Sequence, residues 1–130
     1  MLTMAEKQAV KLFWIREKIW ESSSWGFLSD VLTEVSCGKH EFLNERYTYS
    51  GLLFQALKKM IDGLPEIVDA IANLEYWKRR IPIGPRKLTA EQRKERDIIH
   101  MATRSNITIL AENFNLLYAQ EVDPSVRRKM

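Results

Sequence analysis

Residues 89–124 read TAEQRKERDIIHMATRSNITILAENFNLLYAQEVDP, a stretch with no glycine and no proline before its last position. Thr89-Ala90-Glu91-Gln92 opens it as a capping box, in which the threonine hydroxyl and the glutamine side chain satisfy each other's free backbone amides. With no breaker behind that start, the segment permits one helix of about thirty residues, the longest element in the chain. Ile99, Ala102, Ile109, Leu110 and Leu117 recur at helical spacing as its apolar stripe, with Ile98, Ile107 and Phe114 on the flanks. Asn106 and Asn113 lie on or beside that stripe. Amides there either fix register in a helix pair or sit at the stripe's edge and meet water or a loop carbonyl.

Working outward, the rest of the chain is helical as well. Thr3-Met4-Ala5-Glu6 is another capping box, and a first helix should run to about Ser22 on an inward stripe of Ala5, Ala9, Leu12, Ile15 and Ile19. The serine triplet at 22–24 caps a second helix, near Trp25 to Cys37, that is apolar at Phe27, Leu28, Val31, Leu32 and Val35 and stopped by Gly38. Residues 39–49 hold no sustained period and fit a single helical turn or an ordered loop. Ser50 can cap a third helix, Gly51 to Asp62, ended by Gly63. Pro65 suits the first turn of a fourth that continues to Arg80. No alternating strand pattern bounded by turn chemistry survives. The fold class expected is all-α, one domain over residues 1–130, an irregular antiparallel bundle of about five helices built around the third and the long C-terminal one.

Pro82, Gly84 and Pro85 break the helical pattern before that last helix, and cations crowd around the break. Lys78, Arg79, Arg80, Arg86, Lys87, Arg93, Lys94 and Arg96 place eight positive charges in nineteen residues, answered by Glu91 and Glu95 within the window and by Asp97 just beyond it. Residues 1–77 carry a formal charge of −3 and residues 78–130 carry +6, the latter including a basic tail over 124–130 with Arg127, Arg128 and Lys129. Cations in a last helical turn offset the carbonyl ends of the helix, but at about 0.3–1 kcal/mol each that role does not extend to those beyond the helix end. The elbow at 78–96 therefore reads either as a solvated face or as a surface for an acidic partner, protein or nucleic acid. For RNA or DNA, Tyr76 and Trp77 are the candidates to stack on unpaired bases. Trp77 alternatively anchors its helix end to the core.

At 130 residues and 45% apolar composition the chain can bury one core. The single cysteine, Cys37, has no partner for an intramolecular disulfide, which fits a reducing compartment, and it is expected as a small buried residue near a helix end. No apolar run approaches the ~18 residues of a membrane span. A soluble intracellular protein, cytoplasmic or nuclear, is the expectation.

Catalytic material is sparse. The sequence offers no metal-ligand spacing, no glycine loop to cradle phosphate, no nucleophile motif and no RNP, GxxG or zinc-finger pattern, so no cofactor or metal is expected. Arg93 precedes His100 by seven residues, and this R-x6-H spacing resembles the signature of HEPN-type metal-independent ribonucleases. That resemblance implies Arg93 and His100 assisting attack of a ribose hydroxyl across a dimer seam. The residues themselves favour a non-catalytic binding protein, a small subunit or regulator of a larger assembly. Its protein or self contact is expected on helix one, where Trp14 and Trp20 cannot both face a narrow core, with Trp14 the one exposed.

Overall fold

The computed structural model describes residues 1–19, 25–80 and 87–122, and among these every regular element is a helix. In chain order they are α1 (Met4–Glu17), α2 (Trp25–Ser36), α3 (Glu41–Arg46), α4 (Ser50–Asp62), α5 (Pro65–Arg80) and α6 (Ala90–Glu121). The all-α bundle with a long C-terminal helix is the observed architecture. The ambiguous stretch at 39–49 supplies its one short helix.

Local chemistry sets most of the boundaries. Thr3 accepts from the Glu6 amide at 3.1 Å while Glu6 Oε1 accepts from the Thr3 amide at 3.0 Å. Thr89 and Gln92 repeat the exchange at the start of α6. Gly38 takes the left-handed conformation, φ 77°, that a stop after α2 requires. Gly63 does not: it stays right-handed at φ −77°. The break between α4 and α5 comes instead at Leu64, because Pro65 crowds the residue before it out of helical geometry. Ser50 is the first residue of α4 rather than its cap. Tyr49 holds the cap position, without a side-chain hydrogen bond.

Helix α1 departs from expectation in both length and orientation. It ends at Glu17, where Lys18 adopts a left-handed φ of 52°, and that turn swings Ile19 into the core. The buried face is Glu6, Ala9, Val10, Phe13 and Trp14, while Leu12 and Ile15 are 43% and 51% exposed. Aromatic side chains bury about 150–250 Å² each, so turning Phe13 and Trp14 inward removes more apolar surface from water than turning Leu12 and Ile15 inward. The same rotation carries Glu6 inside. Its carboxylate is held there by Lys59 Nζ at 2.8 Å and by the capping box, which together pull its pKa from 4.5 down to about 2.

Trp14 is fully buried, not exposed: its ring stacks on Phe114 at 5.1 Å and on Tyr118 at 4.4 Å. Its indole N–H finds no hydrogen-bond partner among the described residues. Trp20, the other expected contact residue, lies outside the described residues.

The Glu6–Lys59 pair ties the start of α1 to the end of α4, and Glu17, bonded to Arg46 and to the Tyr47 hydroxyl, ties the end of α1 to the segment before α4. Those two helices therefore run antiparallel. Helix α5 packs along α6, with Arg80 at its end reaching Glu95 near the start of α6. The core cluster gathers α1, α2, α4, α5, Leu43 of α3 and the C-terminal half of α6.

Candidate functional site

The elbow cations divide into two groups. Lys78 Nζ bonds Asp30 Oδ1 at 3.1 Å, and Arg80 bonds Glu95 Oε1 at 2.8 Å and the Tyr76 hydroxyl at 3.0 Å. Glu95 first, then Tyr76, hold the Arg80 guanidinium further above its ordinary pKa. Arg96 reaches its neighbour Asp97 at 3.6 Å. By contrast Arg79, Lys87, Arg93 and Lys94 are exposed and make no ion pair with a described residue. Among the described residues Arg93 donates to the Leu88 carbonyl, at 3.3 Å. Because Arg80 meets Glu95, the end of α5 adjoins the start of α6, and these four free cations belong to one end of the bundle. Arg86 lies outside the described residues, as do Pro82, Pro85 and the 124–130 tail.

The stacking candidates are partly engaged already. Tyr76 is 53% exposed, but the Arg80 guanidinium covers its ring at 5.6 Å and Trp77 meets it edge-on at 5.3 Å. Trp77 is half-buried, in keeping with an anchoring role. Cys37 is exposed rather than buried: its thiol donates to Glu75 Oε1 at 2.9 Å, and that carboxylate, with partial burial, pushes its pKa up. A raised pKa disfavours the thiolate form. Arg93 and His100 are both exposed on α6, two helical turns apart and so on one side of it.

A second surface was not legible in the sequence. Viewed down its axis, α6 buries Ile99, Leu110, Phe114 and Tyr118 on one side. Its opposite side exposes Ile98 (60%), Met101 (73%), Ile109 (39%) and Leu116 (44%). Between them, Met101, Arg104, Ser105, Thr108 and Ile109 line a shallow hollow of about 400 Å³. The expected stripe through Ile99, Ala102, Ile109 and Leu117 falls between these two faces and had averaged them. The signal that separates them is the four-three alternation of Ile98, Ala102, Ser105, Ile109, Glu112 and Leu116, a second seam of its own.

Among the described residues no group of three or more His, Cys, Asp or Glu is placed to hold a metal ion, and no helix is long and apolar enough to cross a membrane. No protein-family model matches the chain, and no curated protein or solved structure matches it at a significant level.

Proposed function

We propose that this chain is a non-catalytic helical binding protein that meets an acidic partner at its basic end and a protein surface along the outer side of α6. The observation that carries the first contact is the division of the cations. Lys78, Arg80 and Arg96 are neutralised within the chain, whereas Arg79, Lys87, Arg93 and Lys94 project from the α5–α6 junction with no described acid to answer them. Unanswered positive charge concentrated at one end attracts polyanions and steers their approach. With Trp14 inside the core, the apolar contact moves from α1 to the outward residues of α6.

The test compares two sets of substitutions on heparin and on labelled single-stranded and duplex nucleic acid. Changing Arg79, Lys87, Arg93 and Lys94 to glutamine should lower affinity and flatten its salt dependence, each lost phosphate contact removing about 0.9 from the log–log slope on duplex DNA or about 0.7 on single strands. Changing Lys78 and Arg80 should do much less. An unaltered protein that no polyanion retains at low salt overturns the nucleic-acid form of this contact. Metal-independent cleavage of the labelled RNA, abolished by His100→Ala, overturns the non-catalytic reading in favour of a ribonuclease.

A further inference from the structure

The outward face of α6 extends the protein contact just proposed, because its residue pattern specifies an occupant. We propose that this face pairs with the same face of a second copy of the chain, the two α6 helices running antiparallel about a two-fold axis between Thr103 and Arg104. The inference rests on the apolar half of the functional reading and shares one residue, Lys94, with its basic half.

Three features of the seam are self-complementary about that point. First, antiparallel seams place each residue of one register class against the other class, and here that sets Ile98 opposite Ile109 of the second copy and Ala102 opposite Ser105 of the second copy. Large residues meet at both ends, while the two small ones flank the axis, where they let the backbones approach. Second, the hollow over Ser105, walled by Arg104, Thr108 and Ile109, lies where Met101 of the second copy arrives, and Met101 is the most exposed of the large apolar side chains on α6. Third, this face carries Lys94 at one end and Glu112 at the other, with Arg104 at the wall of the hollow between them. Two-fold antiparallel pairing brings Lys94 of each copy beside Glu112 of the other, on the same edge of the seam. A parallel pairing leaves both charges unanswered. Glu95, which the register would set near Glu112 of the second copy, is turned toward α5 by its bond to Arg80 at 2.8 Å.

The seam from Lys94 to Glu112 is about 27 Å long at 1.5 Å per residue. Two helices in contact over that length fall at the low end of specific interfaces, roughly 1,200 Å² in total, so the pairing should be weak and reversible. At that strength the copies should separate in dilute solution, where the mass expected is that of one chain, 15.3 kDa.

Sedimentation equilibrium from about 1 μM to several hundred μM tests this, with binding-scale expectations set by the interface size. The unaltered chain should move from monomer to dimer across the range. Met101→Lys, at a side chain 73% exposed, should raise Kd at least about tenfold while leaving the melting temperature in dilute solution unchanged. Lys94→Glu and Glu112→Lys should each weaken the dimer, and the double exchange should restore it, since opposite charges again meet across the seam. A chain that stays monomeric throughout overturns the proposal. So does a dimer indifferent to Met101→Lys, or a double exchange no better than its parents. A monomer that still binds heparin overturns the pairing alone, and a dimer that binds no polyanion overturns the basic-end reading alone.

Discussion

The two halves of α6 share one unbroken helix and little else. From Leu110 to Ala119 it is core: Leu110, Ala111, Phe114, Tyr118 and Ala119 are buried, and two of their rings stack on Trp14 of α1. From Ala90 to Ile109 the one buried residue is Ile99. The first half is tied to α5 through the Arg80–Glu95 pair, and turns Ile98, Met101 and Ile109 to solvent. Helix length is set locally, by a cap and the absence of breakers. What a given turn does is set by what surrounds it. The same backbone therefore anchors the fold at one end and presents a surface at the other.

If that contrast holds, truncating a side chain should cost very different amounts in the two halves. Phe114→Ala removes a fully buried ring stacked on Trp14 and should lower the unfolding free energy by about 3–5 kcal/mol in urea or thermal melts. Ile98→Ala, at 60% exposure, should stay within about 0.5 kcal/mol in dilute solution. Comparable losses at the two positions would show that the outward residues are part of the core.

Acid sharpens the contrast from the other side. Glu6 sits at the core end, where Leu2, Lys59, Met60, Leu117 and Glu121 come together around a hollow. Its folded pKa, about 2, is below the ordinary 4.5, so its contribution is fully present above 4.5 and is lost as pH falls from 4.5 toward 2. Glu6→Gln should be less stable at neutral pH and should lose less stability across that window than the unaltered chain. Stability-against-pH curves that run parallel for the two proteins would contradict the assignment.

These differences also mark how far the sequence could be read. Capping boxes at Thr3 and Thr89, the stop at Gly38 and the start at Pro65 were all legible, because each depends on a few neighbouring residues. The inward face of α1 was not. Both Leu12–Ile15 and Phe13–Trp14 have helical spacing, and the choice between them rests on how much ring area the surrounding helices can cover. Ile98 and Ile109 were counted with the core for the same reason, since α6 carries two apolar seams and periodicity alone merges them. The elbow's cations could be counted but not sorted: Lys78 is answered by Asp30, 48 residues away, and Arg80 by Glu95 across the elbow. Only the fold decides which charges remain free.

Amide hydrogen exchange along α6, recorded at low and at high protein concentration, tests the division of that helix most directly. Residues 110–119 should exchange only through global unfolding and be indifferent to concentration, because their protection comes from the core. Residues 94–109 should exchange faster in dilute solution and slow as concentration rises, because a second copy covers them. Uniform protection along the whole helix, unchanged by concentration, would contradict the account.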